Sequence, residues 1–263
     1  MTDYEVALVD WSGRRWDLTN GTEGVLLLAD GPVELKTRRS TEGARLAGVP
    51  GQVVRRGASL VEPATATLNF VLCPSAADTS MAELWPAWHE AWNFDIPGRL
   101  EYRVGDKPAR WVEVRLGDEG IDQPGRSPLV QEMVAVDVPV VSDSGLWFES
   151  RSTTGNKVTV TNNGVCPVWP RIRWKGAGGA LTLPSGATLN IPASSTERVL
   201  YLDPVESGVV VDTAGVVDER LWASVRAHFV TEPVPAGQTR VYQLPAGARA
   251  EWECGYNTPW VKP

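Results

Sequence analysis

Histidine and cysteine are scarce in this chain of 263 residues, which has only two histidines, His89 and His228, and three cysteines. A serine or cysteine nucleophile normally needs a histidine base close by, and the sequence contains no Gly-x-Ser-x-Gly elbow. Cys73, Cys166 and Cys254 are widely separated and odd in number, so they form neither a disulfide framework nor a C-x-x-C pair. We therefore predict a protein that is not an enzyme, with no catalytic residues, no cofactor and no metal.

Basic residues are also fewer than acidic ones, 25 against 32, and the formal net charge is −7. A chain of this charge would repel phosphate backbones, so we expect no specific nucleic-acid binding. Its longest apolar runs, such as residues 24–29, are far shorter than the roughly 20 residues of a membrane-spanning helix. The N-terminal residues also lack a signal-peptide pattern. We expect no membrane insertion and synthesis in the cytoplasm.

Alternation of apolar and polar residues with a period of two dominates the sequence and is typical of β-strands. In the first half the predicted strands are residues 4–9, 25–28, 66–72, 99–104, 109–116 and 129–140. In the second half they are residues 157–161, 171–174, 180–183, 187–191, 197–202, 208–212, 239–244 and 249–256. The polar stretches 142–145 and 150–156 have the composition of a connection between domains. We therefore predict a mainly β protein with one domain at residues 1–147 and an antiparallel β-sandwich at residues 148–263.

One short segment, residues 80–93, changes to helical spacing. Its apolar residues lie on one helix face and are expected to pack into the core: Leu84, Trp88, Ala91 and Trp92. Ser80 followed three residues later by Glu83 matches a capping box, which satisfies backbone groups at the start of a helix. Pro86 removes one backbone hydrogen bond, which a short helix can tolerate close to its start. The first domain is thus predicted to be β-sandwich-like with one short α-helix near residues 80–93.

Residues 89–93 of this helix, His-Glu-Ala-Trp-Asn, nearly match the H-E-x-x-H zinc motif. The second ligand position holds Asn93, whose amide oxygen is a poor zinc ligand, and His228 lies in the other predicted domain. We interpret His89 and Glu90 as the polar edge of the helix.

Twelve tryptophans are spread along the sequence. Most are expected to fill the core and interfaces, because each indole buries a large area. A second hypothesis is a carbohydrate-binding module that contacts host cell-surface glycans through Trp169, Trp174 or Trp260. A third is a glycosidase or peptidoglycan hydrolase, since paired carboxylates can come from distant strands.

The order of motifs along the whole chain suggests a family. These are residues 11–18, the loop 43–57, the strand 66–72 and the helix 82–92, followed by residues 158–164, 168–172, 209–213, 235–239 and 256–260. Taken in this order, they resemble the two modules of distal tail (Dit) proteins, which are minor tail proteins of siphophages. The sequence is most similar in character to minor tail proteins from phages of actinobacteria.

The resemblance implies a structural protein of the virion. Its N-terminal module would form a hub ring, usually a hexamer, and its C-terminal module would be a galectin-like β-sandwich that projects outward. Located at the distal end of the phage tail, the ring would join the tail tube to the tail tip or baseplate and the adhesion apparatus. The implied partners are further copies of the chain, the tail tube protein, the tail-associated or tip hub protein, the tape measure protein and receptor-binding proteins.

Overall fold

The computed structural model describes residues 4–28, 35–44, 47, 50, 53–122 and 125–260, and these residues are mainly β-strands. The predicted mainly β fold class is therefore confirmed. Contacts between Cα atoms divide the chain into two compact units. The first unit contains the residues up to Phe148 together with those from Asn257 onward, and the second contains residues 149–256. No helix of the described residues is long and apolar enough to cross a membrane.

The first unit is built from antiparallel strands and one α-helix. The described strands are β1 (Tyr4–Val9), β2 (Arg15–Asp17), β3 (Val25–Leu27), β4 (Arg38–Ala44), β5 (Val53–Glu62), β6 (Ala64–Leu72), β7 (Gly98–Val104), β8 (Arg110–Leu116), β9 (Val134–Ser142) and the start of β10 (Trp147–Thr154). Their order is β2-β1-β7-β8 in one sheet and β3-β6-β9 in the other, and β8 also pairs with β9. Strands β4 and β5 pair with each other.

The longest ladder of the first unit joins β6 and β9, from Ala64 opposite Ser142 to Leu72 opposite Val134. Alternate side chains of these strands are buried because one face of the pleated sheet is turned to the core. The buried residues are Leu68, Phe70, Leu72, Val134, Val136, Val138 and Val140.

Helix α1 (Met81–Glu90) begins directly after Ser80. The Glu83 carboxylate accepts hydrogen bonds from the backbone N–H of Ser80 at 3.2 Å and from its hydroxyl at 2.9 Å. With the Thr79 hydroxyl as the largest cause, these hydrogen bonds lower the pKa of Glu83. The predicted capping box is confirmed, and the helix continues through Pro86 but ends three residues earlier than expected.

The second unit is an antiparallel β-sandwich, as predicted. It contains the rest of β10 and β11 (Lys157–Thr161), β12 (Arg171–Gly176), β13 (Gly179–Thr182), β14 (Thr188–Ile191), β15 (Ser194–Tyr201), β16 (Val210–Val211), α2 (Glu219–Arg226), β17 (Thr239–Gln243) and β18 (Arg249–Tyr256). One sheet has the order β11-β17-β13-β14, and the strands of the other follow the order β16-β15-β12-β18-β10. Both contribute to one core that includes Val160, Ile172, Leu200, Tyr242 and Trp252.

Three stretches that were predicted as loop, linker or strand have a different structure. Most of the described part of the predicted loop 43–57 belongs to β4 and β5, and the polar run 150–154 belongs to β10. In both cases, backbone pairing with a neighbouring strand outweighs a loop-like composition. Residues 128–130, which overlap the predicted strand 129–140, form a 3-10 turn that starts at Pro128, and β9 begins only at Val134. Proline has no backbone N–H for a strand ladder.

Candidate functional site

The centre of the first unit is an aromatic cluster around α1. The Trp88 side chain is fully buried, and its ring centroid lies 5.2 Å from that of Trp16, 4.8 Å from that of Phe70 and 5.4 Å from that of Trp92. All three pairs have edge-to-face geometry, which aromatic quadrupoles favour. Leu84 and Trp92 are also buried. The helix therefore serves as a packing element of the core.

The polar edge of α1 holds no metal site. The His89 ring is half-buried against Trp85, with centroids 4.5 Å apart, and burial lowers the pKa of His89. The Asn93 side-chain oxygen accepts hydrogen bonds from the backbone N–H groups of Asp95 and Ile96 at 2.8 and 2.9 Å. Asn93 thus caps the turn after the helix. Among the residues that the structure describes, no group of three or more His, Cys, Asp or Glu side chains is arranged to hold a metal ion.

Trp85 was not among the residues that we expected in the core, yet it is buried. The helical spacing predicted one face through Leu84 and Trp88, whereas the buried arc of α1 also includes Met81 and Trp85. A wider buried arc is typical of a helix that contacts more than one element. The two adjacent apolar residues at positions 84 and 85 were the signal that could have indicated it.

Strands β4 and β5 form a two-stranded arm, from Arg38 opposite Glu62 to Ala44 opposite Val53. Neither strand pairs with any other strand of the described ranges. Such a ribbon is marginally stable by itself in water, and its outer edges present unpaired backbone N–H and C=O groups. One residue of the arm, Leu60, is apolar and 68% exposed. The arm is therefore a candidate assembly surface.

Charge also distinguishes the stretch that contains the arm. Residues 36–62 include six Lys or Arg residues and only two Glu, although acidic residues outnumber basic ones in the chain as a whole. Arg38 and Arg39 are both exposed. A basic segment favours contact with a partner surface of opposite charge.

The three tryptophans considered for glycan contact lie in different environments. Trp174 is only 2% exposed and donates a hydrogen bond from Nε1 to the Pro192 carbonyl at 2.9 Å. Trp169 is partly buried and packs against the core of the second unit. Trp260 is 49% exposed and belongs to the first unit. A sugar ring stacks on an accessible aromatic side chain. Trp260 is the most exposed of these three tryptophans and is therefore the one most accessible to a glycan.

One sheet face of the second unit carries paired arginines and glutamates on β12, β15 and β18. The Arg173 guanidinium contacts Glu251 at 3.0 Å and Glu197 at 3.3 Å, and Arg249 contacts Glu251 at 2.9 Å. Arg171 is paired with Glu253. Cross-strand pairs of opposite charge stabilise a solvated sheet face. We interpret these pairs as structural, because their charges satisfy one another.

No protein-family model matches the sequence, and no curated protein matches it. Solved structures do resemble the fold.

One similar structure is the Dit protein (gp 19.1) of phage SPP1, described as a paradigm of the hub adsorption apparatus in phages that infect Gram-positive bacteria. The TM-score is 0.57 at 12% sequence identity, and the match covers 96% of this chain and 99% of that chain. Another is a chain in the structure of the phage P2 baseplate in its activated conformation with Ca, with a TM-score of 0.59 at 11% identity and coverage of 98% and 99%. The chain therefore has the fold of these two phage proteins over nearly its whole length.

Proposed function

We propose that this protein is a structural subunit of a phage tail, which forms a hub ring at the distal end and joins the tail tube to the tip or baseplate. The observation that carries this proposal is the fold likeness. It extends over 96–98% of the chain and therefore includes both units. The similar proteins are described as a hub of an adsorption apparatus and as part of a baseplate, which supports an assembly role rather than an enzymatic one.

The properties of the arm are an argument for ring formation. A ring of identical subunits needs two different surfaces on each copy that bind each other. The arm supplies one of them, with unpaired strand edges and the exposed Arg38 and Arg39. The other would be an acidic surface of the adjacent copy, and a ring of six is the stoichiometry that we propose.

The two units would have different roles in the tail. The first, predicted at residues 1–147, would form the ring, and the sandwich, predicted at residues 148–263, would project toward the adhesion components. In the virion the ring would contact the tail tube protein on one side and the tip hub protein on the other. The tape measure protein and receptor-binding proteins complete the proposed set of partners.

The direct test is the mass and shape of the purified protein, measured by light scattering and negative-stain electron microscopy over a range of concentrations. We expect rings, or rings that form when the tail tube or tip hub protein of the same phage is added. A strict monomer that associates with neither protein would refute the proposal.

The arm is tested by the double substitution Arg38→Glu and Arg39→Glu. Repulsion at the contact should lower the association constant by at least about tenfold, because like charges brought together in an interface cost several kcal/mol. The control is Arg220→Glu with Arg240→Glu, which makes the same change of charge at exposed positions of the second unit. Equal effects of the two double variants would show that net charge, and not the arm, governs assembly.

A further inference from the structure

Residues 257–260 follow the final strand of the second unit, β18, yet they pack on the first unit. There the Nη1 atom of Arg110, on β8, donates to the carbonyl oxygens of Thr258 at 3.0 Å and Trp260 at 2.5 Å. Arg110 is only 8% exposed, and Pro259 is buried. The backbone of this segment thus supplies acceptors to a buried charged group, which is costly to leave without hydrogen bonds.

Aromatic contacts hold the same segment. The Trp260 ring lies edge to face on Tyr102, with centroids 5.1 Å apart at an angle of 80°. On β1, Tyr4 stacks with Tyr102 at 6.0 Å. Tyr102 is 4% exposed, and burial, followed by the nearby Tyr4, raises its pKa.

The position of these residues on the sheet explains the contact. Tyr102 is paired with Arg110 in the β7–β8 ladder. Because side chains alternate along a strand, both point to the same face as the buried Leu100 and Val112. Residues 257–260 therefore cover one end of the core layer of the first unit.

The chain passes from the first unit to the second after Phe148 and returns at Asn257. The second unit is thus inserted into the first. We propose that residues 257–260 are a strap that closes the core of the first unit after the second unit has been made, so that the stability of the first unit depends on chain segments on both sides of the second. This inference does not rest on the proposed function.

The test compares two aromatic substitutions in the full chain. Trp260→Ala removes the ring of the strap, and Phe94→Ala is the control, because Phe94 is also an aromatic residue of the first unit and the two are 49% and 50% exposed. If exposure alone decided the outcome, both substitutions would have equally small effects on the stability of the first unit. Hydrogen exchange followed by mass spectrometry then shows which strands open more often in each variant.

If residues 257–260 act as a strap, Trp260→Ala should accelerate amide hydrogen exchange in β7 and β8 on the order of tenfold, because local opening controls the exchange of protected amides. Exchange in the second unit should stay unchanged. In the Phe94→Ala variant, the exchange rates of β7 and β8 should equal those of the unmodified chain. Equal exchange in the two variants would overturn the proposal.

A milder variant keeps the test decisive even where Trp260→Ala fails to fold. Trp260→Phe retains a ring against Tyr102 and the backbone acceptors of Arg110, so it should fold and show a smaller acceleration that is confined to β7 and β8. Acceleration that begins in the strands of the second unit would contradict a strap on the first.

Discussion

Replacing Trp88 with alanine removes the side chain at the centre of the aromatic cluster in the first unit. The indole is fully buried and has edge-to-face contacts with Trp16, Phe70 and Trp92 at centroid distances of 4.8 to 5.4 Å. These partners come from β2, β6 and the segment after α1. The cavity would therefore open where the helix meets both sheets of the unit.

The expected loss follows from three contributions. Truncation of a buried tryptophan to alanine costs about 3–5 kcal/mol, and edge-to-face pairs add about 0.5–1.5 kcal/mol each beyond their buried area. In the opposite direction, the Trp88 Nε1 is buried with no hydrogen-bond partner among the described residues, so its removal relieves a desolvation cost of about 1–3 kcal/mol. With three such pairs, we expect a net loss of about 5 kcal/mol, which corresponds to a fall in Tm of about 15 °C.

The assay is reversible urea denaturation of the full chain, followed by near-ultraviolet circular dichroism, which reports on packed aromatic rings. The control is Trp11→Ala, since Trp11 is 43% exposed and its Nε1 donates one hydrogen bond, to the Glu90 carbonyl at 2.7 Å. That variant should lose only about 1 kcal/mol. A loss below about 1 kcal/mol for Trp88→Ala would refute the interpretation of the helix as a core element.

The second unit offers two further predictions. Burial by itself would raise the pKa of Glu251, but hydrogen bonds and charge from Arg173 outweigh it and lower the pKa. A lowered folded-state pKa stabilises the protein above the unfolded value of about 4.3, and the stabilisation is lost as the pH falls through the folded-state pKa. Glu251→Gln should therefore cost about 1 kcal/mol at pH 7 and less at pH 3 in urea titrations, and an equal loss at both would contradict this. Gly178 has φ +70°, and an added Cβ would lie 2.2 Å from the Ile191 carbonyl oxygen. Gly178→Ala should cost at least about 2 kcal/mol, against about 1 for Gly186→Ala, where the space is open and only the left-handed backbone conformation opposes the change; similar thermal shifts for both would show that the close approach is relieved.

The features that could be predicted from the sequence are local. Alternation with a period of two predicted most strands, and the change to helical spacing after Ser80, with Glu83 three residues later, predicted α1. These signals depend on the residues of one turn or one strand, so they can be recognised without a partner. The order of such elements also suggested a fold that the similar solved structures share.

The features that only the tertiary structure decided depend on residues far apart in the sequence. The run 150–154 has the composition of a linker, but it is part of strand β10, which is hydrogen-bonded to the neighbouring strand β18. Trp174 cannot be distinguished by type from the exposed Trp260, and only the packing of the two sheets buries it. The contact between Arg110 and the Trp260 carbonyl joins positions 150 residues apart. Periodicity and capping determine which elements form, whereas burial of aromatic surface and pairing of backbone groups determine which distant elements meet.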